Sequence, residues 1–71
     1  MEILVFKTNV TDQKIKRKLF PLLRTIEGIL TWNIDFEDAD KVLPVETLHV
    51  APSIIEQTLQ HAGFLCIEME D

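Results

Sequence analysis

The stretch Leu30-Thr31-Trp32-Asn33-Ile34-Asp35-Phe36 decides the fold. Leu30, Trp32, Ile34 and Phe36 alternate with Thr31, Asn33 and Asp35, the period of a strand buried on one face. Upstream the period changes. Ile15, Leu19, Leu22, Leu23 and Ile26 recur at the spacing of one helical stripe, and Gly28 stands where a helix closes in a left-handed residue. Thr11 is the expected cap of that helix, with Asp12 as a favourable charge in its first turn. Pro21 removes a backbone donor and predicts a kink or a loosened turn at its own position. Earlier still, Ile3 to Phe6 is a short apolar run suited to a strand.

Downstream, Glu37-Asp38-Ala39-Asp40-Lys41 is a polar turn and Val42 to Glu46 a third strand, with Pro44 pointing to an edge or a bulge. Pro52 and Ser53 open a second helix, in which Ser53-Ile54-Ile55-Glu56 fits a capping box and Ile55, Leu59 and Ala62 form the buried stripe. Gly63 ends it, and Phe64 to Met69 is a last strand. Leu65, Ile67 and Met69 share one face of that strand; Cys66 and Glu68 share the other.

The order βαββαβ, with two right-handed crossovers into one antiparallel sheet, predicts an α+β, ferredoxin-like sandwich. Both helices then cover one face, packed on Leu30, Trp32, Ile34 and Phe36. The other face stays open, with either Ile3 and Val5 or Leu4 and Phe6 pointing away from the helices, alongside Val42, Pro44 and Cys66. Such a patch reads as an interface, or else as scattered surface hydrophobics.

Seventy-one residues make a single domain, 1–71, with one small core. Hydrophobic residues are 46% of the chain, enough to fill that core, and charged residues are 27%, an ordinary surface share. No apolar run suits a membrane span. The start, Met-Glu-Ile-Leu-Val-Phe-Lys, lacks the basic opening and long apolar stretch of a signal peptide, which predicts a first strand and a cytoplasmic protein. One cysteine allows no internal disulfide. The net charge of -5 divides unevenly: residues 1–27 carry six Lys and Arg against three Asp and Glu, and residues 28–71 carry only Lys41 against nine. The overall acidity argues against nucleic-acid binding, and the asymmetry sets a basic patch on an acidic body.

Several short runs then fall into one order. Phe6-Lys7-Thr8-Asn9-Val10 leads into the first helix, Ile26-Glu27-Gly28-Ile29 closes it, and Trp32-Asn33-Ile34-Asp35-Phe36 is similar to a V-x-V-D-L run. Asp40-Lys41-Val42-Leu43 follows, and Ile55, Leu59 and Ala62-Gly63-Phe64 resemble an I-x-x-x-I-x-x-A-G-Y ending. In this order, over nearly the whole chain, they resemble the heavy-metal-associated domains of copper chaperones and metal-transporting ATPases. Counting back from Glu27-Gly28-Ile29, the cysteines of that family's Cys-x-x-Cys loop fall on Asp12 and Ile15, its methionine on Val10 and its glycine on Asn9. The resemblance thus implies the fold and a degenerate loop. A thiolate pair captures soft metals; a carboxylate with a branched alkane does not.

The remaining chemistry is sparse. Asp12 reads as a helix-terminal charge and Ile15 as packing, so no metal ligand and no cofactor is assigned. Cys66 is either a small packed residue or a reactive thiol and soft-metal ligand. His49 and His61 have no i, i+4 partner. No nucleophile–base pair or phosphate loop points to an enzyme. Lys14, Lys16, Arg17 and Lys18 form either a solvated helix face or a docking patch, with Lys14, Arg17 and Lys18 as its core. The expected role is association with a protein partner or with another copy. The alternative is a copper- or zinc-binding protein with non-standard or intersubunit ligands, such as Cys66 shared across a dimer.

Overall fold

Phe6, Leu43, Val45 and Cys66 are completely buried on one side of a four-stranded sheet, where Leu19, Leu23, Ile55 and Leu59 from the helices meet them. The computed structural model describes residues 1–69; Glu70 and Asp71, counted above among the acidic residues, lie outside the described residues. The chain runs β1 (Glu2–Thr8), α1 (Gln13–Lys16), α2 (Leu19–Leu23), β2 (Ile29–Trp32), β3 (Leu43–Thr47), α3 (Pro52–His61) and β4 (Cys66–Glu68). The sheet order is β2-β3-β1-β4, and every pairing is antiparallel. This is the expected ferredoxin-like α+β sandwich, its first crossover built from α1 and α2 and its second from α3.

Pro21 acts one turn away from where it stands. In an unbroken helix its missing N–H would bond the carbonyl of Arg17, and its ring crowds that carbonyl. The helix accordingly breaks at Arg17 and Lys18, not at Pro21, which lies inside α2. The Lys18 amide turns to the Ile15 carbonyl at 3.0 Å, a tighter i to i-3 bond.

The helix also stops at Leu23, short of Gly28. Gly28 does have positive φ, +99°, but it opens β2 and does not cap a helix. A side chain there would meet the Leu48 carbonyl oxygen at 2.5 Å, and the Gly28 carbonyl accepts from the Leu48 amide at 2.8 Å. Gly63 is the true helix terminator. It has φ +93°, its amide bonds the Gln60 carbonyl, and the Phe64 amide bonds the Leu59 carbonyl. Those two bonds are the Schellman pattern.

The strand expected over Leu30–Phe36 is shorter and out of register. Ile29 pairs with Thr47, Thr31 with Glu46 and Trp32 with Val45, so Leu30 is the extra residue of a bulge. Leu30 is therefore 52% exposed, outside the core, while Ile29 joins the core's margin. Pro44 explains the early end. It sits in a central strand, not at an edge, and its carbonyl accepts the Asn33 amide at 3.2 Å. Its backbone thus faces β2, where it has no N–H to return, and the ladder lapses until the isolated Asp35–Val42 bridge. Ile34 still reaches the core, and Trp32 and Phe36 are half-buried against it.

Alternation around the last strand is as expected, but the faces are reversed. Cys66 lies opposite Thr8 on the inner face, and Ile67, 49% exposed, lies opposite Lys7 on the outer one. The open face therefore carries Ile3, Val5, Pro44 and Ile67, without Cys66. Ala62 caps α3 and is exposed instead of buried.

The capping box on α3 does not form. Ala51 is the N-cap, Pro52 occupies the first turn, and no side chain caps that end. Glu56 faces β4 instead, where its Oε2 accepts the Glu68 amide at 2.9 Å. One turn later, Gln60 donates its side-chain amide to the Cys66 carbonyl at 2.8 Å. The Cys66 carbonyl and Glu68 amide are two of the edge strand's outward groups, so α3 covers part of that edge.

Candidate functional site

The loop between β1 and α1 is fixed from both ends. Thr8 is buried; its hydroxyl donates to the Lys41 carbonyl at 2.6 Å and accepts the Val10 amide at 3.2 Å. Asn9 accepts the Leu65 amide through its side-chain oxygen at 3.0 Å. Val10 is completely buried. A loop with a buried alkane at its centre and bonds to two neighbouring loops has little freedom to rearrange around an ion.

Asp12, not Thr11, is the N-cap of α1, and its Oδ1 accepts the Ile15 amide at 2.9 Å. The structure brings these two residues together by this bond alone. The Asp12 side chain is exposed at the helix start, and the Ile15 side chain turns inward against the core.

Cys66 is remote from solvent. Burial, and then the neighbouring Glu56 carboxylate, push its thiol from 9.0 up to about 12. The thiolate is the form that ligates metal, and this setting disfavours it. Among the described residues, no group of three or more His, Cys, Asp and Glu side chains is placed to hold an ion. His49 lies in the loop after β3 at φ +58°, and His61 in the last turn of α3; both are exposed.

Lys14, Arg17 and Lys18 are exposed around the α1–α2 break. Lys16 separates from them: its ammonium bonds the Asn33 side-chain oxygen at 2.9 Å and lies 5.8 Å from the centre of the Trp32 ring. Phe20, one turn further on, packs against the same ring at a centroid distance of 4.7 Å and an interplanar angle of 55°. Beyond the pair, a groove between α2 and β2 is lined by Phe20, Leu23, Arg24, Ile29, Leu30 and Trp32. Phe20 and Arg24 carry no role among the sequence-based expectations above. The spacing of Lys16, Phe20 and Arg24, four residues apart on one helical face, was the available signal.

No family model and no curated protein matches this chain. Solved structures do. The N-terminal domain of ZntA in its Zn(II)-form is similar, with a TM-score of 0.78 and 22% identity over 96% of this chain and 92% of that one. Its apo-form gives the same values. A structure described under "Crosstalk between Cu(I) and Zn(II) homeostasis" is similar with a TM-score of 0.81 and 11% identity, over 97% of this chain and all of that one. At these identities the likeness carries the fold. Among the described residues, no helix is long and apolar enough to cross a membrane.

Proposed function

We propose that this chain is a protein-association module on the heavy-metal-associated fold, with a degenerate metal loop at Asp12 and Ile15. The observation that carries the reading is the state of those two residues. The Asp12 carboxylate is engaged as a helix cap, and the Ile15 side chain packs inward, so the loop presents no convergent ligands. The single cysteine, buried beneath the sheet, supplies no replacement. Lys14, Arg17 and Lys18 beside the loop are the docking residues, and they suit an acidic surface on a partner or a second copy.

The test is a competition titration with Cu(I) and with Zn(II), run beside sedimentation of the same protein. The expected result is no tight binding of either ion. Tight binding that disappears in Cys66→Ser would favour the alternative, a heavy-metal protein with shared ligands, for which the likeness to a Zn(II)-bound domain is the support.

A further inference from the structure

The two edges of the sheet are unequal. At β4 the outward Cys66 carbonyl and Glu68 amide are bonded by Gln60 and Glu56 of α3. At β2 no strand lies beyond among the described residues, and the bulge at Leu30 turns an apolar side chain outward. Beside that open edge lies the groove walled by α2. Its rim combines Phe20, 48% exposed, and Leu30 with the half-buried Trp32. Large aromatic side chains that remain accessible are the usual anchors of an interface.

The charge of the groove selects its occupant. Arg24 lines it, and the Lys16 ammonium lies 5.8 Å from the centre of the Trp32 ring at its other end; the two cations stand four residues to either side of Phe20. Among the described residues the one ion pair is Lys7 with Asp40, at 3.4 Å, so neither Lys16 nor Arg24 is held in an ion pair. A second copy pairing β2 to β2 in a continuous sheet would put its helices on the same face. That arrangement would set one Lys16 and Arg24 wall against the other and repel. An extended segment rich in Asp and Glu meets the opposite condition.

Resting on the association reading above, we propose that the groove between α2 and β2 binds an extended acidic peptide segment of a protein partner. The segment adds to the edge of β2 through its backbone and sets an apolar side chain between Phe20, Leu30 and Trp32. Backbone bonds would supply affinity, and Lys16 and Arg24 the preference for acidic sequence.

The probe is a set of blocked heptapeptides that alternate Asp or Glu with Val, Leu or Phe, and a control set with Lys at the acidic positions. Binding is read from the emission of Trp32, the only tryptophan, and from amide shifts. The acidic set should shift Leu30 to Asn33 and Phe20 and change the Trp32 emission, and the Lys set should not. Leu30→Lys, and Lys16→Glu with Arg24→Glu, should each weaken binding about tenfold or more while the dispersed spectrum of the folded domain persists. Equal binding of the Lys set, no binding of any acidic peptide, or shifts confined to Ile3, Val5 and Pro44 would each overturn the groove assignment. Acidic peptides that shift only Lys14, Arg17 and Lys18 would also overturn it while sparing the association reading. No peptide binding, together with tight uptake of Cu(I) or Zn(II), would remove both.

Discussion

The carboxylate of Asp12 accepts the backbone amide of Ile15 at 2.9 Å, so the two positions that would mark a metal loop instead close the first turn of a helix. Replacing Asp12 by Ala should cost about 0.5–2 kcal/mol, the usual range for a lost cap, as read from the urea midpoint. The double change Asp12→Cys with Ile15→Cys should install measurable Cu(I) affinity, because thiolates at this spacing would stand at the same helix start. A double variant that remains folded and takes up no Cu(I) in competition would show that the loop geometry is unsuited to the ion.

Leu19 and Leu30 separate the core from its margin. Leu19 is fully buried, and its change to Ala should cost about 2–5 kcal/mol. Leu30 lies on the bulge, and the same change should cost less than about 0.5 kcal/mol. Equal losses in denaturant titrations would mean that the bulge is misplaced.

Thr47 is completely buried, and among the described residues its hydroxyl has no hydrogen-bond partner. Thr47→Val keeps the shape and removes the orphaned group, so it should raise stability by roughly 1 kcal/mol. A loss of stability in thermal unfolding would indicate a partner for that hydroxyl.

Cys66 makes stability depend on alkaline pH. Its thiol titrates near 9.0 when unfolded and near about 12 when folded, so between those values the folded state holds a proton that the unfolded state has released. Its contribution is therefore complete below the lower value and lost as pH rises through the window, by up to roughly 1.4 kcal/mol per pH unit. Comparing wild type with Cys66→Ala across that window isolates the slope. A slope that is the same in both proteins would place its source elsewhere.

Reversing Lys14, Arg17 and Lys18 to Glu should abolish salt-sensitive association without unfolding the domain, since all three are exposed. Sedimentation at low and high salt measures this. Association that persists in the variant and ignores salt would point to the apolar face of Ile3, Val5 and Ile67.

What could be read from the residues was mostly local. Gly63 ended its helix as expected because a left-handed terminus is a property of a few adjacent residues. Alternation in the last strand was also visible, yet only pairing with Thr8 and Lys7 decides that Cys66 faces in and Ile67 out. The short β2 depends on Pro44, twelve residues beyond Trp32 in sequence, and no pattern within β2 announces that or the bulge at Leu30. At the loop, Thr11 and Asp12 are both capable caps; where the first turn begins chooses Asp12. The open groove is not legible in the sequence because Phe20 and Trp32 meet only after the crossover folds back.

Gln60 and Glu56 also limit how far copies of this chain could join edge to edge. Open-ended polymerisation through a sheet requires a donor edge and an acceptor edge on every subunit. With the Cys66 carbonyl and Glu68 amide of β4 already bonded to α3, β2 is the less hindered edge of each subunit. Edge-to-edge growth through β4 is thereby hindered while α3 stays folded, and growth through β2 alone stops at a pair at most, against the repulsion of its two basic walls.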